Sequence, residues 1–183
     1  MKTKKILQLF LFLFCIQSLS AQNIERLKEN NGFREIKLGS DVKDYPAFIK
    51  KDSTNSKYFG LVGYEYEYIF EQGVKAGYDK VGDAEIYRIL AKTFNGKIFK
   101  INVTLEKDYG TIKMLKLAFG EPNFENMELG MLRWNTENNI ECEFMGHIDL
   151  FKNDFVRFTD LNIKKLYEKD KKEKEKKRAI SEF

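Results

Sequence analysis

The sequence predicts an α+β domain: an antiparallel sheet of about six strands, with helices over one of its faces. Three observations carry this prediction. Sixteen Phe and nine Tyr stand against only two Pro, a composition suited to pleated, half-buried strands with few rigid loops. Several runs alternate strictly between apolar and polar, among them Tyr64-Glu65-Tyr66-Glu67-Tyr68 and Ile140-Glu141-Cys142-Glu143-Phe144. Between two further runs lies Asn95-Gly96, whose tolerance of positive φ suits a type I′ hairpin turn.

The chain opens with Lys2, Lys4 and Lys5, then an apolar run from Ile6 to Ile16 broken only by Gln8, then Ser18-Leu19-Ser20-Ala21. A basic start, a short apolar stretch and a small-residue exit describe a secretory signal over residues 1–21, cleaved near Ala21. The apolar run is about half the ~20 residues that a membrane-spanning helix needs. Cys15 follows Phe14 where a lipid-anchored protein carries a small residue, so the expectation is an exported, unlipidated chain, periplasmic or secreted. Loss of Cys15 with the signal leaves Cys142 alone, unable to form an internal disulfide.

Residues 22–163 are expected to form one domain. A helix is predicted from Ser40 or Asp41 to about Lys50, with Pro46 in its first turn or shortening it. GYEYEYIF (63–70) is the strand after it. EIYRILAKTF (85–94) and KIFKINVTLE (97–106) form the Asn-Gly hairpin; alternation puts Phe99, Ile101, Val103 and Leu105 on one face and Lys100, Asn102 and Thr104 on the other. Asp108 is placed to cap a second helix with the stripe Ile112, Leu115 and Ala118/Phe119, ended by Gly120 before Pro122. Strands follow in GMLRWN, IECEFMG and DFVRFTD, the first two joined by the loop 135–139. The pattern reads as two α-β-β-β units. Residues 164–183, containing KDKKEKEKKR, form a charged helical or disordered tail, with Glu168/Lys172, Asp170/Lys174 and Glu173/Lys177 at helical ion-pair spacing.

In a sheet with one covered face, Tyr64, Tyr66, Tyr68 and Phe70 belong to the core wall. The opposite orientation would bury Glu65 and Glu67 without partners, at a cost of several kcal/mol. Cys142 belongs to the apolar side of its strand as an inert thiol.

The formal net charge is +4. Three of the positive charges are the signal lysines, and the tail from Lys164 carries nine Lys/Arg against five Asp/Glu. The body is thus slightly acidic, which argues against nucleic acid as a partner. The basic tail admits at most weak contact with a membrane surface.

Chemistry-bearing patterns are sparse. His147 is the only histidine, no Gly-x-Ser-x-Gly elbow occurs, and too few His/Cys ligands exist for an ordinary zinc site. The glycines of Gly77-Tyr78-Asp79-Lys80-Val81-Gly82-Asp83-Ala84 have phosphate-loop spacing, but Asp83 and Ala84 stand where Lys and Ser/Thr belong. No catalytic residue, cofactor or metal is therefore expected. Paired carboxylates, Glu65/Glu67 or Glu141/Glu143, leave a small secreted hydrolase as the alternative.

Ile36-Lys37-Leu38-Gly39-Ser40-Asp41 resembles a short strand entering a first helix through glycine. Leu115 to Pro122, LKLAFGEP, resembles a helix closed by Gly-x-Pro, with a strand tryptophan, Trp134, after it. Together they resemble the beta-lactamase-inhibitor-protein-like repeat of exported bacterial domains, shared by secreted inhibitors and small outer-membrane assembly lipoproteins. The chain departs from the lipoprotein members in lacking a lipobox. The resemblance implies a binding protein rather than an enzyme, and carries over no binding residue. The resulting expectation is an exported, non-enzymatic protein-binding domain, inhibitor-like or a cell-envelope accessory. Its partner would meet Glu65, Glu67, Lys100, Asn102, Thr104, Glu141 and Glu143, with Trp134 nearby as an anchor.

Overall fold

The computed structural model describes residues 24–50, 63–68, 80–146 and 152–181. The expected signal sequence, Ile69-Phe70, Gly77-Tyr78-Asp79 and His147 lie outside the described residues. In chain order the elements are α1 (24–30), β1 (Gly32–Phe33), β2 (Ile36–Lys37), a 3-10 turn (Val42–Asp44), β3 (Phe48–Lys50), β4 (Gly63–Tyr68), β5 (Lys80–Val81), β6 (Ala84–Phe94), β7 (Lys97–Leu105), α2 (Gly110–Phe119), β8 (Phe124–Asn126), β9 (Met131–Asn135), β10 (Ile140–Met145), β11 (Asp154–Asp160) and α3 (Leu161–Ser181).

The fold is α+β, and its sheet is antiparallel throughout. Among the described residues it holds nine strands in the order β3-β4-β6-β7-β11-β10-β9-β8, with β5 beside β6 off that path. The expected count of six is therefore too low; β3, β5 and β8, of two or three residues each, are too short to show a period.

The predicted helix from Ser40 to Lys50 is corrected to a single turn. Asp41 caps it by accepting from the Lys43 N–H at 3.0 Å. Pro46 follows immediately, and the chain re-extends into β3, because proline offers no N–H to continue a helix. The first helix is instead α1, which drives a fully buried Leu27 into the core. It passes to β1 through Gly32, where a Cβ would lie 2.1 Å from the Ile36 carbonyl oxygen, so no other residue fits.

The β6–β7 hairpin forms as its turn dictates, with φ of 51° at Asn95 and 80° at Gly96. Its register then shifts: Thr93 pairs with Ile98 but Lys92 with Lys100, leaving Phe99 as an extra residue. This bulge turns Ile98 into the core beside Ile101 and turns Phe99 to the opposite face, contrary to simple alternation. There Phe99 stacks on Tyr167 of α3 at 5.0 Å between centroids, and Phe94 meets the same ring at 6.0 Å. The helices consequently do not share one face. α1 and α2 cover the core side, while α3 stands on the other.

α2 buries Thr111, Leu115 and Phe119, a stripe at four-residue spacing. Its N-cap position is Tyr109, which makes no side-chain cap bond. Asp108, expected to cap it, accepts instead from the Gly110 N–H at 3.0 Å. α3 begins at Leu161, where the Asp160 carboxylate accepts from the N–H groups of Asn162 and Ile163 at 2.9 and 3.0 Å. It buries no residue fully. Of the anticipated ion pairs Asp170–Lys174 forms at 2.7 Å, joined by Lys164–Glu168, Lys169–Glu173 and Lys171–Glu175 at 3.8–4.0 Å.

Register also decides the tyrosine row. Tyr66 pairs with the buried Ala91 and packs against the core, and the backbone positions of Tyr64 and Tyr68 lie opposite buried Thr93 and Phe48.

Candidate functional site

The face of the sheet opposite the core gathers most of the polar residues singled out from sequence. Lys100, Asn102 and Thr104 of β7 lie on it, half-buried, as does Glu141 of β10, and Glu143 lies on it buried. The register sets the backbone of Glu65 opposite Lys92 and that of Glu67 opposite Leu90, in line with the same two rows.

Trp134 does not belong to this face. It shares parity with Leu132 on β9, and both are core residues, Trp134 with 0% of its surface exposed. Its indole N–H donates to the Gly120 carbonyl at 2.8 Å, tying β9 to the end of α2, and its ring meets Phe119 edge-on. It cannot anchor a partner. The alternation Leu132-Arg133-Trp134 already carried that signal.

What the strands assemble on the polar face is a ladder of charge. Pairing aligns Asn102, Arg157, Glu143, Arg133 and Phe124 across β7, β11, β10, β9 and β8. Arg157 Nε donates to Asn102 Oδ1 at 3.0 Å, and its Nη1 lies 3.5 Å from Glu143 Oε2. From the other side Arg133 Nη2 reaches Glu143 Oε1 at 4.0 Å and its Nε reaches Glu141 Oε2 at 3.2 Å. The Arg133 guanidinium also lies over the Phe124 ring, 5.5 Å from its centroid. Only 7% of Glu143 is exposed, since the two guanidiniums that neutralise it also cover it. Beside the ladder runs a less polar row, Thr104, Phe155, Met145 and Met131, all half-buried. Arg133, Arg157, Phe124 and Phe155 went unnamed in the sequence reading. Arg133, Arg157 and Phe155 alternate with buried residues, whereas Phe124 sits in a short strand with exposed neighbours; the register that sets the arginines against glutamates is a tertiary fact.

Near the root of α3 the balance is cationic. Lys100 is pushed down to about 8, first by burial, then by Arg157, Lys164 and Lys92, with Glu143 opposing. Cys142, on the core side of β10, is fully buried and unpaired. Burial, then the neighbouring carboxylates of Glu141 and Glu143, push its thiol well above its ordinary value. That is the setting of an inert core residue.

The paired carboxylates Glu141 and Glu143 face guanidinium groups rather than a cleft, with oxygens of both engaged by Arg133 and Arg157. Among the described residues no three His, Cys, Asp or Glu side chains gather as a metal requires, and no helix is long and apolar enough to cross a membrane. Comparison with protein-family models, with curated proteins and with solved structures finds no match to this chain.

Proposed function

We propose that this chain is an exported, non-enzymatic protein-binding domain, inhibitor-like or a cell-envelope accessory, whose partner docks on the polar sheet face. The observation that carries the reading is the ladder Asn102–Arg157–Glu143–Arg133–Phe124. Its charges are fixed by backbone register and by one another, so they lose little freedom on association. Alternating signs at strand spacing select a complementary partner and reject others by like-charge contact. Phe155, Met145, Met131 and Phe124 beside them supply the aromatic and Met surface that interfaces favour. The rival, a hydrolase with paired carboxylates, is disfavoured at Glu141/Glu143 because guanidiniums engage the oxygens that would handle protons.

The test is capture from the envelope fraction of the exporting cell on immobilised wild-type protein and on Arg133→Ala/Arg157→Ala. Truncating one member of a charge pair buried by a partner typically costs about 2–5 kcal/mol of binding. The double variant, folded by circular dichroism, is expected to lose a partner that the wild type retains. Equal capture by both would remove the ladder from the interface.

A further inference from the structure

A cavity of about 290 Å³ opens between the turn after α1, the inner side of α2, and strands β5 and β11. Its walls are core side chains: Phe33, Leu115, Phe119, Val156 and Phe158, each more than nine-tenths buried. Phe158 lies 6.1 Å from Phe33 and 6.3 Å from Phe119 between ring centroids, so three aromatic rings frame the space.

The pocket is concave and opens to the surface, and its apolar lining atoms forfeit dispersion attraction where they have no neighbours. At the ~30 Å³ that a water takes up in the liquid, this space has room for about ten non-hydrogen atoms. Water is a poor occupant, for an ordered water needs two to four polar partners and these walls are apolar. An aliphatic chain would restore the missing contacts. The lining contains one charged side chain, Arg34, whose guanidinium lies 5.3 Å from the centroid of the Phe33 ring and donates to the Lys80 carbonyl. It therefore sits where the turn after α1 meets β5, at the rim. A preformed apolar pocket with one oriented polar group is the usual form of a small-molecule site.

We propose that this cavity binds one medium-length aliphatic carboxylate, its chain among Phe33, Phe119 and Phe158 and its head at Arg34. The site is separate from the ladder face and stands whether or not a protein docks there.

Decanoate and decanol serve as probes, by calorimetric titration and by melting of the purified protein. Decanoate is expected to bind and to raise the melting temperature with concentration. Ala118→Phe, which fills the cavity from α2, abolishes both effects; Val81→Phe fills it from β5 should the first variant fail to fold. Arg34→Gln weakens decanoate roughly tenfold or more, the value of a charge-assisted hydrogen bond, and weakens decanol much less. No binding of either probe up to its solubility overturns the proposal. So does binding that survives the filling variants. Equal losses for decanoate and decanol in Arg34→Gln overturn the placement of the head group.

Discussion

Replacing Trp134 by Phe isolates the bond between the sheet and the end of α2. The change keeps an aromatic ring at a fully buried position but deletes the N–H that donates to Gly120. The Gly120 carbonyl is part-buried, so leaving it without its donor costs the lower part of the usual range, about 1–2 kcal/mol. The missing part of the indole, roughly two buried carbons at about 0.8 kcal/mol each, adds on the order of 1–2 kcal/mol. The expected loss is about 2–4 kcal/mol, which for a domain of this size lowers the melting temperature by roughly 5–15 °C. Trp134→Ala removes the ring as well and is expected to cost at least about 3–5 kcal/mol. Urea melts of both variants, with unchanged m-values, measure this. If Trp134→Ala melts like wild type, the tryptophan is at the surface and the two faces of the sheet have been exchanged.

Tyr66→Ala, at a position packed against the core but not fully buried, should cost about 2 kcal/mol, whereas Glu65→Ala should change the urea midpoint by less than about half a kcal/mol. Thiol reagents should label Cys142 slowly in the native protein and rapidly in denaturant; fast native labelling would contradict its burial. Lys100 has a folded pKa below that of the unfolded chain, so the penalty for its charge is fully present below about pH 8. Stability should rise from there toward the unfolded value near 10.5. Lys100→Met should raise the melting temperature at pH 7 and flatten that rise, and an unaltered pH slope would refute the assignment. Intact mass of the exported protein should correspond to a start near Ala21 or Gln22 without lipid, and a diacylglyceryl group on Cys15 would exclude it.

Period and turn chemistry made much of the sheet legible. The Asn95-Gly96 hairpin follows from its turn residues, and the strands of β9, β10 and β11 and the place of Cys142 from alternation. Phe99 marks where alternation fails: a bulge inserts one residue into the register, and nothing in KIFKINV distinguishes the extra residue from its neighbours. Placing α3 depended on that residue, because Tyr167 has its platform only once Phe99 turns away from the core. α1 was missed for the opposite reason. In IERLKEN one leucine supplies the fully buried contact, too little for a visible stripe. At the site, the glutamates were readable as a solvated-face pattern. Arg133 lies across the predicted hairpin from Glu143, but the hairpin's register and the pairing that brings Arg157 beside the same carboxylate are not written in the spacing of either strand.

The two ends of the strand order have a bearing on how the protein behaves in a crowded compartment. β3 and β8, the outermost strands among the described residues, are three residues long each. An exposed edge is a template on which a second chain can add a strand, and the hazard grows with the length of the unpaired row. Here the long strands, β6 with eleven residues and β7 with nine, lie inside the order with neighbours on both sides. Among the described residues, the outermost strands thus offer a stranger only a short row of backbone hydrogen bonds at either margin. Side chains more than main chain therefore decide what these margins of the sheet meet.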